Sequence, residues 1–273
     1  MLGAASLPLN PVVGENRRMG NVLWTGPAVA LVTLFDDDGA VSAKDTAAHA
    51  ARLVAYGIRA VVVAGSTGEA AALSDHERVE LVAAVREACP GVPVVAGASG
   101  EWRGQASART AAVIAAGADA VLVAPPRLGG SVDDYFARVA DAAGDVPVLA
   151  YHYPGVAGGE VPIDALAALP VAGIKDSTGS AGRLAEEVDL DWPGAVYTGS
   201  ASLLGYARWL GAAGAIVAAA NVVPEKCLAA WEGDAAAQRE VLRAERAYRP
   251  TFPAGIKKAV AERFGTPTGC RLV

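Results

Sequence analysis

From Pro27 to Asn221 the sequence alternates between two textures. Short runs of small and β-branched apolar residues fall at 28–33, 60–63, 92–96, 120–124, 146–151, 171–175, 195–198 and 215–218. Each has the length of a strand and has turn-forming residues close by. Between them lie alanine-rich stretches with helical spacing, near 43–56, 74–88, 104–116, 132–143, 163–169, 180–189 and 201–210, with another after Pro224. Ser74 and Glu77 make an S-x-x-E capping signature, and Gly57 and Gly117 stand where helices should stop. A linker phrase recurs as Tyr56-Gly57-Ile58-Arg59-Ala60, Ala116-Gly117-Ala118-Asp119-Ala120 and Ala213-Gly214-Ala215. Eight strands alternating with eight helices predict an α/β chain closed into a (β/α)8 TIM barrel. An open doubly wound sheet would need a glycine-rich phosphate turn after its first strand. That strand instead runs into Thr33-Leu34-Phe35-Asp36-Asp37-Asp38-Gly39. The expected layout is a flexible N-terminal extension over 1–22, a barrel over 23–232, and C-terminal helices over 233–273 packed on it. Those helices are expected at 234–248 and 253–264, parted by Pro250 and Pro253.

Composition narrows the function classes. Hydrophobic residues make up 53% of the chain and charged residues 19%, a globular balance. The net charge is −6, and no basic cluster offers a surface to nucleic acid. The longest apolar runs, such as 212–223, are interrupted by Gly or Asn and fall short of the ~20 residues that a membrane-spanning helix needs. Cys89, Cys227 and Cys270 are odd in number and far apart, which suits neither a disulfide framework nor a zinc site. His49, His76 and His152 also lack ligand spacing. The first residues lack the basic start and continuous apolar segment of a signal peptide. A cytoplasmic protein without a structural metal is expected.

Lysine is scarce, with five (Lys44, Lys175, Lys226, Lys257, Lys258) among the 23 basic residues. Lys175 alone ends an apolar strand, in Val171-Ala172-Gly173-Ile174-Lys175; the other four are expected on polar or amphipathic stretches where solvation is easy. Desolvation disfavours the charged ammonium, and a neutral amine can attack a carbonyl. Taken alone, Lys175 reads first as a snorkelling strand-end residue or an ion-pair partner of Asp176. Its neighbours change the balance, because barrel sites form at the C-terminal ends of the strands. Strand 2 ends in Gly65-Ser66-Thr67-Gly68-Glu69, strand 5 in Tyr151-His152-Tyr153-Pro154, and strand 7 in Thr198-Gly199-Ser200. The Ser-Thr pair offers hydroxyls and backbone N–H groups to an anion, or is an ordinary turn. On adjacent strands, Tyr151 and Lys175 should face one mouth. His152 should face the other way, in a structural role, and Glu69 should order its loop.

The ordered set Gly65-Ser66-Thr67-Gly68-Glu69, Tyr151-x-x-Pro154 and Gly173-Ile174-Lys175-Asp176 resembles the dihydrodipicolinate synthase / N-acetylneuraminate lyase family of Schiff-base aldolases. The likeness runs from Trp24 to the C-terminal helices. It implies that Lys175 forms an imine with pyruvate or another 2-oxo acid, with no further cofactor and no metal. It also implies that Tyr151 and Thr67 relay protons, that Ser66 and Thr67 hold the carboxylate, and that Gly199 and Ile216 line the lysine end of the pocket. A homo-oligomer, dimer or tetramer, is a further expectation. Two positions depart from the lysine-biosynthesis members. Where those have an arginine after Tyr-x-x-Pro, this chain has Gly155-Val156-Ala157-Gly158, and where they have a tyrosine at the end of strand 4 it has Pro125-Pro126-Arg127. The wording is nearer the branch that cleaves 2-keto-3-deoxy sugar acids or 4-hydroxy-2-oxoglutarate. A dehydratase or dihydrodipicolinate synthase of the same family, or a barrel that only binds 2-oxo acids, are the competing readings. Arg127 is either a relocated anion clamp or a solvated loop residue.

Overall fold

A computed structural model describes residues 22–128 and 130–272, so the extension expected over 1–22 lies, apart from Val22, outside the described residues. Eight parallel strands form a closed barrel: β1 (Gly26–Ala30), β2 (Val61–Val63), β3 (Val94–Gly97), β4 (Ala120–Val123), β5 (Val148–His152), β6 (Gly173–Asp176), β7 (Ala195–Thr198) and β8 (Gly214–Val217). Closure comes from β1 pairing with β8, Gly26 opposite Gly214 through Val29 opposite Val217. The crossovers carry α1 (Ala43–Ala55), α2 (Asp75–Ala88), α3 (Arg103–Ala115), α4 (Val132–Ala143), α5 (Ala181–Asp189) and α6 (Leu204–Leu210), and α7 (Pro224–Trp231) follows β8. Ser74 caps α2 with the full reciprocal box to Glu77, and Ser42, Ser131 and Ser180 cap α1, α4 and α5.

One crossover departs from expectation. The segment 163–169 does not form a helix; it is a chain of turns with Leu166 N–H bonded to Ile163 O and Ala168 N–H to Ala165 O. Bounded by Pro162 and Pro170, it is too short to repay helix nucleation. Burying Leu166 and Leu169 is enough to cover β5 and β6 there. The first strand also lies earlier than expected. Beyond Leu31 the backbone leaves the ladder for side-chain partners, with Val32 N–H donating to Asn221 Oδ1 (3.1 Å) and Leu34 N–H to Thr46 Oγ1 (2.9 Å).

The barrel interior is filled from one end. Trp24, just before β1, stacks on Tyr197 of β7 at 4.3 Å, and the Tyr197 hydroxyl donates to Trp24 O (3.2 Å). Gly214 makes room for this plug. A Cβ there would collide with the Gly26 carbonyl and lie 3.1 Å from the Tyr197 ring. Above the plug sit Val62, Val95, Leu122, Leu149 and Ile216. The opposite sides of the strands bury Val61, Val63, Val121, Val148 and Ile174 against the helices. Strand residues on both faces are therefore apolar, as parallel sheets require. Each buried Val, Leu or Ile contributes roughly 1.5–3 kcal/mol.

Two further helices, α8 (Ala235–Tyr248) and α9 (Ala254–Phe264), follow the barrel. Asp234 caps α8 by accepting from Ala236 and Ala237 N–H. Tyr248, Ile256 and Val260 pack on Val32, Leu34 and Val222, which lie just past the C-terminal ends of β1 and β8. That contact brings the end of α8 to the open end of the barrel.

Candidate active site

Strand alternation sorts the polar residues at the open end. Tyr151 of β5 pairs in register with Lys175 of β6, and both face the interior. Lys175 is 5% exposed, and its Nζ lies 4.3 Å from the centroid of the Tyr151 ring, within cation–π range. The next residues, His152 and Asp176, face the helices. Asp176 is thus not the partner of Lys175, correcting one of the two simple readings of that lysine. It lies 3.3 Å from Arg183 Nε, which is 2.8 Å from Glu187 Oε1. His152 Nδ1 accepts from Val161 N–H (3.0 Å), and Arg183 donates to Val161 O (2.7 Å). This network fixes the turn-rich crossover after β5. Burial, reinforced by Asp176, pushes the Glu187 carboxyl up to about 8 despite Arg183, and burial lowers His152.

The turn after β2 carries the hydroxyls. Ser66–Gly68 is a single 3₁₀ turn, flanked by two non-glycine residues in the left-handed region, Ala64 (φ 53°) and Glu69 (φ 56°). Such residues cost on the order of 1–3 kcal/mol and persist where surrounding contacts over-determine them. Here Thr33 Oγ1 donates to Gly68 O (2.7 Å), and Gly97 leaves room for the Ala64 carbonyl, which a Cβ would strike. Gly199 serves the lysine in the same way. A Cβ on it would collide with Ser177 Oγ and lie 3.0 Å from Lys175 Cε.

A cavity of about 540 Å³ opens here, lined by Ser66, Thr67, Tyr151, Lys175, Gly199 and Ile216. All six site residues expected from the sequence meet in it. It also takes in Tyr153 and Ser200, which the sequence places at strand ends without a role, and side chains that the sequence did not single out: Ser177, and Tyr248 and Phe252 from the end of α8 and beyond. Nothing local marks the last two, since only packing of α8 brings them to the mouth. The hydroxyls beside Lys175 were legible only once β6 and β7 were in register. A second compartment of about 620 Å³ shares Ser66, Tyr151, Val156 and Phe252 with the first and reaches Arg78, Arg109 and Arg127. Arg127 is exposed and donates to Val156 O (2.6 Å), so its guanidinium lies over the segment after Tyr-x-x-Pro.

Asn221 is a further residue whose role becomes clear only in three dimensions. Fully buried, it accepts from Val32 N–H and donates to Ala30 O (2.7 Å) and Ala218 O (2.9 Å), stitching β1 to the segment after β8 at the mouth. The lysines also need one correction. Lys257 was expected on a solvated stretch, yet it is 0% exposed and ion-paired with Glu69, also 0% exposed. It is buried outside the barrel and engaged, while Lys175 stands inside and faces the cavity. Among the described residues no group of three or more His, Cys, Asp or Glu could hold a metal, and no helix is long and apolar enough to cross a membrane.

Fold and site together define a (β/α)8 barrel with a lysine-centred cavity at the C-terminal ends of its strands. Comparison with known proteins gives that class a family. The sequence matches the dihydrodipicolinate synthetase family over residues 24–261, and the chain belongs to it. It is 34% identical to an uncharacterised DapA-like lyase of Halobacterium salinarum, over 87% of this chain and 84% of the relative. It is 31% identical to the 4-hydroxy-tetrahydrodipicolinate synthase of Methanosarcina acetivorans, over 90% of both. Among solved structures, YagE of E. coli K12, a prophage protein of the family in complex with pyruvate, superposes with a TM-score of 0.83 at 25% identity, over 91% of each chain. Enzymes of the family are lyases that hold their substrate as an imine on a lysine without an external cofactor.

Proposed function

We propose that this chain is a class I lyase that cleaves or forms a carbon–carbon bond next to pyruvate bound as an imine on Lys175. The observation that carries the reading is the convergence of Lys175, Tyr151, Ser66, Thr67, Gly199 and Ile216 on one cavity. The amine of Lys175 adds to the keto carbon, and loss of water leaves a protonated imine. That cation is an electron sink for the carbanion released when the adjacent bond breaks, or when a proton leaves the neighbouring carbon. Ser66 and Thr67 hold the 2-oxo acid carboxylate. Tyr151, in register with the lysine, moves the proton at the oxygen that becomes the aldehyde, with Thr67 as its relay partner.

Within the family, we assign the chain to substrates of the 2-keto-3-deoxy sugar acid or 4-hydroxy-2-oxoglutarate type. Two features support this. The segment Gly155-Val156-Ala157-Gly158 stands where the lysine-biosynthesis members have their arginine, and the cavity lining includes Ser177, Thr178, Ser200 and Ser202, partners suited to a hydroxylated chain. The test is a panel of 2-keto-3-deoxy acids, 4-hydroxy-2-oxoglutarate and aspartate semialdehyde plus pyruvate. Pyruvate release from one of the first two classes is expected. Preference for condensation with the semialdehyde would overturn the assignment, and water loss without pyruvate release would make the chain a dehydratase. Pyruvate binding without turnover across the panel would leave a binding barrel.

A further inference from the structure

Glu69 ends the Ser66–Gly68 turn, yet its side chain leaves the cavity altogether. Its Oε2 accepts from two consecutive backbone groups at the other end of the chain, Arg271 N–H (2.8 Å) and Leu272 N–H (2.7 Å). Its Oε1 pairs with Lys257 Nζ, and Lys257 Nζ also donates to Gly269 O (2.7 Å). The ammonium of Lys257 and the guanidinium of Arg271 both lie over the Phe35 ring, at 4.1 and 4.6 Å from its centroid. Arg271 then ties the end of the loop to the elements beside it. It donates to Ala72 O (2.9 Å), to Gly39 O (2.8 Å) and, in a bidentate pair, to Glu77 at 2.6 and 3.1 Å. That pair holds the Glu77 carboxyl down at about 2.

We propose that Lys257 and the C-terminal segment 266–272 are positioning elements of the active site, holding the Ser66–Thr67 turn in the shape that receives the substrate carboxylate. The identity of that ligand rests on the reading given under Proposed function; the mechanical link does not. Three observations point the same way. The turn is strained on both sides, at Ala64 and Glu69, and strained backbone stays in place only when its surroundings over-determine it. The segment reaches the turn through main-chain N–H groups as well as charges, so its register, and not merely its net charge, is read by Glu69. A fully buried ion pair is a poor way to gain stability over an apolar pair of the same volume, whereas its directional bonds specify geometry. The segment touches Glu69, Ala72 and Glu77, and its Leu272 reaches the second compartment, while none of its residues lines the cavity that holds Lys175. Its effect on the substrate is therefore transmitted through the loop and involves no contact of its own with the reacting atoms.

The test uses the full chain with Arg271→Ala, with Lys258→Ala on the solvated face of α9 as control. Two quantities are read: hydrogen exchange of the amides in 64–73, and the pyruvate concentration that half-saturates imine formation, separated from the saturating rate. For Arg271→Ala, the loop amides should exchange at least about tenfold faster and half-saturation should rise about tenfold, with the saturating rate within about threefold, the pattern of lost ground-state binding. The control should match the unsubstituted chain in both. Because Lys257→Met alone strands a buried carboxylate, the doubly neutral Glu69→Gln/Lys257→Met chain supplies the second variant. It should fold and show the same loosened loop and raised half-saturation. Loop exchange and half-saturation both unchanged in either folded variant would overturn the proposal. If the unsubstituted chain forms no imine with any 2-oxo acid, the functional reading fails on its own, and loop exchange still decides whether the segment holds the turn.

Discussion

Lys175 and Asp176 are neighbours in sequence with opposite surroundings, and the difference is set by the pleat of one strand. Lys175 faces the cavity beside Tyr151, while Asp176 is shut behind the sheet with Arg183 and Glu187. The same alternation separates Tyr151 from His152. The Tyr151–His152 separation was legible in the sequence because period-two alternation needs no knowledge of distant packing, whereas the place of Asp176, open to a pairing with Lys175 in the sequence, was settled by Arg183 behind the sheet. Glu69 and Lys257 were only half legible. That Glu69 orders its loop follows from its place after the turn, but its partners come from the far end of the chain, and an amphipathic pattern cannot announce a fully buried lysine. The proton path makes a sharp demand on the Tyr151 hydroxyl. Tyr151→Phe keeps the ring that packs against Lys175, so imine formation with pyruvate should persist, while pyruvate release from the true substrate should fall by about 10²–10⁴. Steady-state kinetics beside adduct formation checks this, and turnover within a few-fold of the unsubstituted chain would remove Tyr151 from the proton path.

At the scale of elements, the eight strands and most crossovers follow from the alternation of apolar runs and capped alanine-rich stretches. The exception, the turn-rich crossover after β5, shows what local pattern misses. The chain enters it through Val161, whose backbone is held by His152 and Arg183, and the stretch from Pro162 to Pro170 then runs as turns instead of a helix. The Asp176–Arg183–Glu187 group behind β6 has a measurable signature in pH. The Glu187 carboxyl titrates at about 8 in the folded protein, against an ordinary value of 4.5. Between those values the folded state holds a proton that the unfolded chain has lost. The stability it contributes is therefore complete below pH 4.5 and is lost as pH rises through 8. Glu187→Gln removes this titration. Melting temperatures of the two proteins should converge near pH 5 and separate by several degrees near pH 9, with the variant the more stable there. A constant offset across that range would mean that Glu187 is ionised throughout.

For the whole molecule, the barrel is plugged at one end by Trp24 on Tyr197 and open at the other, where the βα turns and the end of α8 enclose the cavity. The barrel and the family were readable from ordered motifs on successive strands. The contribution of α8 and of the C-terminal segment was not, since it depends on how those elements fold back over β1 and β8. If this architecture serves to present one amine to a 2-oxo acid, borohydride should trap that amine. The protein is incubated with pyruvate, reduced, digested and mapped by peptide mass spectrometry, beside Lys175→Ala. One stable pyruvate adduct is expected, on Lys175, and absent from the variant. No adduct with pyruvate, 2-oxoglutarate or a keto-deoxy acid, or an adduct that persists in Lys175→Ala, would contradict that role for Lys175.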